Sequence, residues 1–281
     1  MNYKQIQSLL EEYQLSPDKN FGQNFLVDDN ITKAIAEKAK DKNVIEIGPG
    51  LGSLTEHLAC TTKKLLCYEI DKGMVKVIKD RIVTNNKNVM ILEGDILKQD
   101  ISKDIEVYFN NEEVEVFANL PYYITTAILL KILEEAPKVK AMTVMMQKEV
   151  AERLNGKPKT KDYNSLSVLL QYYTKIKKVI NVPATSFYPA PKVESVVLNI
   201  ERIEPLEKAD DEKYFLKFNR AIFMLRRKTL VNNLNKALGY NKESIIEILK
   251  KNNYKESLRA EELEVREIIK LANIFCKNFS N

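Results

Sequence analysis

The sequence predicts an α/β protein whose mostly parallel sheet ends in an antiparallel hairpin, followed by a small all-α C-terminal domain. Three observations predict it. Between Asn43 and Lys148 short apolar runs alternate with helix-spaced segments, the pattern of a parallel sheet with helices on both faces. After Ser165 two β-like runs are joined by a short proline-rich loop, and such a pair is antiparallel because a parallel pair needs a crossover. Beyond residue 204 the strand pattern stops and helical segments follow. The 281 residues, 44% of them hydrophobic, suffice for one large core plus a small one.

Taken in order, MNYKQIQSLLEEYQL places Ile6, Leu9, Leu10 and Tyr13 on one helical face. Its Glu11 and Glu12 and its lack of a long apolar run set it apart from signal and transit peptides. The sheet strands are NVIEIG, KLLCYEI, NVMILEGD, EVEVFAN and AMTVMMQK. Helical spacing marks ITTAILLKILEE and SLSVLLQYY, and the hairpin strands are KKVINV and VESVVLNIERI, separated by VPATSFYPAPK. The charged stretch ERIEPLEKADDEKYF marks a boundary, dividing the chain into residues 1–203 and 204–281. The second part contains YFLKFNRAIFML, TLVNNLNKAL, KESIIEILKKN and AEELEVREIIKLANIF, with Gly239 as the C-cap of TLVNNLNKAL.

Composition narrows the chemistry. No segment approaches the roughly 20 apolar residues of a membrane span, so a soluble, cytoplasmic protein with no membrane partner is expected. Cys60, Cys67 and Cys276 suit neither a disulfide framework nor a zinc site, and no metal is expected. The single histidine, His57, excludes any mechanism that needs two and reads as a surface or packing residue of a helix. The net charge of +5 is modest, but lysines and arginines gather at 156–161, 175–178 and 226–228. Three such runs are compatible with a polyanionic partner.

The turn EIGPGLGSLT carries Gly48, Gly50 and Gly52 between the first strand and its helix, where glycine lets the backbone approach a ligand closely. A dinucleotide fingerprint would have its third glycine where Ser53 stands. Glu69 ends the next strand, placed to accept hydrogen bonds from ribose hydroxyls. Asp71 is a nearby alternative, and Glu69 is preferred because it lies closer to the apolar run that fixes the strand. Asp95 ends the third strand, where a carboxylate can accept from an adenine amino group. These positions describe an adenosine-containing cofactor and leave open a nicotinamide or S-adenosylmethionine.

Residues Asn119, Leu120, Pro121, Tyr122 and Tyr123 lie where a strand gives way to a helix. An exocyclic adenine nitrogen is a poor nucleophile because its lone pair is delocalised into the ring. Hydrogen bonds accepted from that amino group by Asn119 and the Leu120 carbonyl turn the lone pair toward an electrophilic methyl. Pro121 stiffens the turn and Tyr122 offers a face for stacking. The alternative is that Tyr122 and Tyr123 pack the core while Asn119 caps the following helix.

The segments KNFGQNFL, EIGPGLGSLT, YEID, EGD, NLPYY, MQKEVAERL and SFYPAPKVES, followed by MLRRKTLVNNL, resemble the ribosomal RNA adenine dimethyltransferases, most closely the small-subunit (KsgA) type. The resemblance implies a Rossmann-like class I methyltransferase domain over 1–203 and a helical RNA-engaging domain over 204–281. It implies transfer of methyl groups from S-adenosyl-L-methionine to N6 of two adjacent adenosines near the 3′ end of 16S RNA, twice each, with a role in small-subunit biogenesis. The partner implied is small-subunit RNA or the pre-30S particle, met by a monomer.

Carried over by motif, Asn24, Leu26, Gly48, Gly50, Glu69, Ile70, Asp95, Ile96 and Asn119 contact the cofactor. Asn119, Leu120, Pro121, Tyr122 and Phe187 form the catalytic group, with Phe187 as an exposed second aromatic wall held by Pro189 and Pro191. A base drawn out of its RNA must be gripped on both faces; the alternative for Phe187 is a buried plug. Arg226, Arg227 and Lys228 are the RNA contacts, and Val231 stands where many relatives have a further basic residue. Rival readings are a large-subunit dimethyltransferase of the erythromycin-resistance type, a non-catalytic ribosome-assembly factor, and a nicotinamide oxidoreductase. Ser53 and the lack of an evident hydride-transfer acid or base disfavour the last.

Overall fold

The structure, a computed structural model, describes residues 1–18, 22–120 and 124–279. The chain folds into two compact units, Met1–Ala151 with Lys175–Arg202 and Glu152–Thr174 with Ile203–Asn281.

In the first unit, α1 (Tyr3–Glu12), β1 (Phe25–Leu26) and α2 (Asp29–Ala36) precede the sheet. The sheet is then built from β2 (Asn43–Ile47), α3 (Thr55–Thr61), β3 (Lys64–Glu69), α4 (Lys72–Arg81), β4 (Val89–Glu93), α5 (Ile101–Phe109), β5 (Val114–Asn119), α6 (Thr125–Glu135) and β6 (Val139–Gln147). After α7 (Lys148–Leu154) and α8 (Ser165–Tyr173) the chain returns through β7 (Thr174–Val182), β8 (Phe187–Tyr188) and β9 (Ser195–Arg202).

The seven-stranded sheet has the order β4-β3-β2-β5-β6-β9-β7. Strands β2 to β6 pair in parallel, and β9 runs antiparallel to β6. The mixed sheet matches the predicted fold class. The sequence reading does not show that β9 inserts between β6 and β7, leaving β7 at the edge with its exposed Lys175, Lys177 and Lys178. Charged side chains on an edge strand discourage pairing with another sheet.

From β2 the chain steps outward through β3 to β4, then returns to β5 on the other side of β2. That reversal is a topological switch point, and the crevice beyond the carboxyl ends of β2 and β5 is where open α/β sheets take ligands. Every residue of β2 is buried, as a strand covered by helices on both faces requires. On one face Ile31, Ile35, Leu58, Val75 and Ile78 pack over Val44, Leu65, Cys67, Ile91, Phe117 and Met145. On the other, the Tyr68 hydroxyl donates to Asp104 of α5 at 2.7 Å. Helix α1 sets Ile6, Leu9 and Leu10 against Phe25, Leu51, Met74 and Val77.

The second unit joins α8 to α9 (Glu212–Ile222), α10 (Leu230–Leu238), α11 (Lys242–Lys251) and α12 (Val265–Phe279). Gly239 ends α10 at φ +72, the left-handed C-cap that its sequence position predicts. The residue range 1–203 takes in Glu152–Thr174, which belongs with the helices instead. There the Asn219 side chain donates to the Ser165 carbonyl at 3.1 Å, and the Ala209 amide donates to the Tyr172 hydroxyl at 3.0 Å. Among the described residues no helix is long and apolar enough to cross a membrane.

Candidate active site

A cavity of about 150 Å³ opens at the switch point. Its lining brings together Asn24, Leu26, Gly48, Gly50, Glu69, Ile70, Asp95, Ile96, Asn119, Leu120 and Phe187. Of the candidate residues of this site, Pro121 and Tyr122 lie outside the described residues, as does Tyr123.

The glycine turn forms one wall. The Gly48 amide donates to the Tyr68 carbonyl at 2.9 Å, continuing the β2–β3 ladder by one residue before the chain turns. Gly48 has φ +71, and a Cβ built there meets no atom of the protein. Gly52 has φ +89, and a Cβ there would stand 2.7 Å from the tip of Ile82 and 2.9 Å from that of Ile78, so a larger residue would be strained and would require those side chains to shift.

Glu69 and Asp71 divide their work in a way the spacing alone leaves open. Glu69 is buried at the end of β3. Its Oε1 accepts from the amides of Ile70 at 2.8 Å and Asp71 at 3.0 Å, and its Oε2 accepts from the Gly50 amide at 3.0 Å. Burial pushes its pKa up, and the three main-chain donors pull it back. Two carboxylate oxygens offer about four lone-pair sites, so one remains on Oε2. Asp71 caps α4 instead: its Oδ1 accepts from Gly73 at 2.8 Å and Met74 at 3.3 Å, and its Oδ2 accepts from the Gln23 side chain at 2.8 Å. Asp95 spends Oδ1 on the Leu97 amide at 2.9 Å. Ile70, 46% exposed, and buried Ile96 add apolar surface beside these acids.

Asn119 closes the opposite wall. Its Nδ2 donates to the Asn24 carbonyl at 3.2 Å, which fixes the amide orientation and leaves Oδ1 as the acceptor. The N-cap of helix α6 is Ile124, with no side-chain cap hydrogen bond, so Asn119 does not serve as its cap. The Leu120 amide donates to the Met145 carbonyl at 3.0 Å, carrying the parallel ladder one residue past β5.

Phe187 corrects the expectation of an exposed aromatic. It is buried, packed in the cluster that includes Leu26, Ile31, Ile35, Met145 and Val197. The cause is strand pairing: β8 lies antiparallel to β1 with Leu26 opposite Phe187 and Phe25 opposite Tyr188. That register turns Phe187 inward, and the next residue, Tyr188, meets Tyr3 edge-on at 4.7 Å. Phe187 still lines the cavity. Val231, noted as a missing basic residue, is buried in α10 and so is a packing position here.

The family model described as ribosomal RNA adenine dimethylase matches residues 15–275. The chain belongs to that family. A ribosomal RNA small subunit methyltransferase A from Lysinibacillus sphaericus is 43% identical over 275 residues, covering 95% of this chain and 94% of the relative. One from Macrococcus caseolyticus is 42% identical, with 94% and 92% covered. Among solved structures, a dimethyladenosine transferase from Plasmodium falciparum is similar with a TM-score of 0.68 and 27% identity, covering 90% of this chain and 98% of that one. The 23S rRNA methyltransferase ErmE shares the fold with a TM-score of 0.58 and 24% identity, covering 89% and 99%.

Within this adenine dimethylase fold the cavity holds residues that motif reading passed over. Glu46, in the middle of β2, is 2% exposed and lines the cavity. Burial pushes its carboxyl up to about 8, and the Cys67 thiol donates to its Oε2 at 3.7 Å. Ser53 Oγ is buried with no hydrogen-bond partner among the described residues, and Ser53 lines the same cavity. Gln23 ties the segment before β1 to Asp71. A charged residue inside an otherwise apolar strand is the signal by which Glu46 is findable in the sequence; Ser53 and Gln23 have no comparable signal.

Proposed function

We propose that the chain transfers methyl groups from S-adenosyl-L-methionine to N6 of two adjacent adenosines near the 3′ end of small-subunit ribosomal RNA, dimethylating each. The observation that carries this reading is Asn119. Its amide is oriented by the Asn24 carbonyl, with Oδ1 left as an acceptor in a cavity that also holds Glu69 and Asp95.

The residues present fit the cofactor. The open space at the Gly48 Cβ position and the orphaned Ser53 hydroxyl both call for a ligand in that part of the cavity. Glu69 would take a ribose hydroxyl on its remaining lone pair, Asp95 the adenine amino group, and Ile70 and Ile96 the faces of that base. Asn24 and Leu26 would hold the amino-acid end beside Gly48. When bound, S-adenosyl-L-methionine supplies an electrophilic methyl on a sulfonium.

Asn119 Oδ1, with the Leu120 carbonyl, would accept hydrogen bonds from the target amino group and turn its lone pair out of conjugation. No strong base is required, because an alkylated adenine nitrogen is acidic and releases its proton readily. Phe187 would take one face of the extruded base and, as the motif implies, Tyr122 the other. Exposed Arg226, Arg227 and Lys228 would contact the RNA backbone. A monomer acting on ribosomal RNA would work in the cytoplasm, on naked RNA or on an assembling small subunit.

The deciding experiment incubates the purified protein with S-adenosyl-L-methionine and with small and large ribosomal subunits that lack these modifications, then maps methylated nucleosides by mass spectrometry. Dimethyladenosine at paired small-subunit sites is the expected result. A single dimethylated site in the large subunit overturns the substrate assignment, and cofactor binding without methylation overturns the enzymatic one.

A further inference from the structure

We infer that the loop 156–162 and the turn 225–228 of the helical unit form one surface for the phosphodiester backbone of RNA. This rests on the proposed ribosomal RNA substrate and extends it to residues outside the 226–228 run.

The two basic runs are about 65 positions apart in sequence, and two separate contacts bring them together. Buried Tyr163, which closes the loop, packs edge-on against Phe223 with ring centroids 5.8 Å apart. Glu261 then serves both: its carbonyl accepts from the Lys159 amide at 2.7 Å, and its carboxylate meets Arg226 at 3.6 Å and Arg259 at 3.9 Å.

Both segments are held by main-chain bonds that leave their cations outside. In the loop, a Cβ on Gly156 would collide with the Asp162 carbonyl, so the loop is folded tightly on itself. The Thr160 amide and hydroxyl both bond the Lys157 carbonyl, and the Ser167 hydroxyl bonds the Asp162 carbonyl at 3.1 Å. In the turn, buried Asn233 donates to the carbonyls of Ile222 at 2.7 Å and Leu225 at 3.2 Å and accepts from the Leu225 amide at 3.1 Å. Lys157, Lys159, Lys161, Arg227 and Lys228 are exposed, and among the described residues they make no ion pair. The acids nearby are engaged: Asp162 with Arg153, Glu262 with the Arg259 amide, and Glu261 as above.

Exposed cations on rigid main chain, with the local carboxylates occupied, fit a partner that is a string of anions. Counterions released from each phosphate contacted make such binding fall steeply with salt, by about 0.7 to 0.9 in log–log slope per contact.

The test compares the full-length wild type with K157Q/K159N/K161Q and with R226Q/R227Q/K228Q. Asparagine is chosen at 159 because Lys159 has φ +67, which asparagine tolerates. Binding to unmodified small ribosomal subunits is measured across salt concentrations, alongside thermal stabilisation by S-adenosylhomocysteine. Loop neutralisation is expected to weaken binding about tenfold or more at low salt and lower the salt slope by about 2, with the cofactor response unchanged. Wild-type affinity and slope in the loop variant, while the turn variant loses both, overturn the inference and leave the substrate reading intact. A wild type that neither binds nor methylates the particle overturns the reading and the surface together. As a measurement free of any substitution, lysine acetylation of the wild type should be blocked by RNA at positions 157, 159 and 161 but not at exposed Lys103; equal labelling with and without RNA also overturns the inference.

Discussion

The first unit carries 24 lysines and arginines against 25 aspartates and glutamates, whereas the helical unit carries 20 against 14. Their interiors differ in the opposite sense. The charged side chains buried among the described residues are Glu46 and Glu69, both in the first unit and both lining its cavity. The helical unit buries neutral amides instead: Asn233 is bonded to main chain through both its nitrogen and its oxygen, while Asn219 donates to Ser165 and its Oδ1 has no partner among the described residues. Removing a carboxylate from water is costly unless something answers it, so a fold that retains two at one cavity points to chemistry there. Cations left in water cost little and remain available to a polyanion. On the proposed function, chemistry and affinity would therefore reside in different units.

The largest effect expected on that division is at Asn119. Asn119→Ala removes the acceptor proposed to turn the target nitrogen, and single-turnover methyl transfer should fall by about 10³-fold, the scale for losing a preorganised polar contact in the transition state. Affinity for the small subunit and its salt dependence should remain those of the wild type. A parallel loss of RNA affinity breaks the division, because it makes Asn119 part of the grip and not only of the reaction.

Phe187→Ala comes next. Truncating a buried aromatic leaves a cavity, and about 3 to 5 kcal/mol of stability should be lost. Exposure of Phe187 in solution would instead leave thermal unfolding unchanged and reduce only methylation. A drop in melting temperature, with S-adenosylhomocysteine still binding the remaining folded protein, sharpens the picture of a residue that is both core and wall.

These two residues show how unevenly the site can be read from sequence. The strand ends are legible because apolar runs in a parallel sheet stop where ligands bind, so Glu69, Asp95 and Asn119 are candidates by position, while the choice of Glu69 over Asp71 rests on their hydrogen bonds. The inward turn of Phe187 is not legible, since it depends on a two-residue strand pairing Phe25–Leu26 with Phe187–Tyr188 across 160 or so positions. Proline-rich loops usually read as exposed, and no local pattern contradicts that at SFYPAP. The boundary at 204 was visible as a change in composition. The return of 152–174 to the helical unit was not, because a helix spaced like SLSVLLQYY fits against a sheet or a bundle equally well.

Glu46 gives a smaller, pH-dependent effect. Its carboxyl rises from an ordinary 4.5 to about 8 because burial disfavours the charged form. Between those values the folded chain holds a proton that the unfolded chain has released, so stability falls as pH rises through that window. At about 1.4 kcal/mol per pKa unit, the neutral isostere Glu46→Gln should gain about 2 to 4 kcal/mol over the wild type on going from pH 5 to pH 8. The measurement is the melting temperature of the first unit's transition for both proteins across that range, since two units need not unfold together. Parallel curves would place the proton elsewhere.

Asp71→Ala is the mildest change and the most discriminating, because Asp71 stands two residues from Glu69 and carries the same charge. The structure gives it a cap and a tether: Gly73 and Met74 on one oxygen, Gln23 on the other. Losing an N-cap costs about 1 kcal/mol, and releasing Gln23 loosens the segment before β1 without touching the remaining lone pair of Glu69. S-adenosylhomocysteine affinity should therefore change less than threefold, while Glu69→Gln weakens it by about tenfold or more through the lost acceptor at the ribose. The reverse ranking, with Asp71→Ala the more damaging to cofactor affinity and harmless to stability, would transfer the ribose contact to Asp71. Glu69 would then be a purely structural clamp on the Gly50, Ile70 and Asp71 amides.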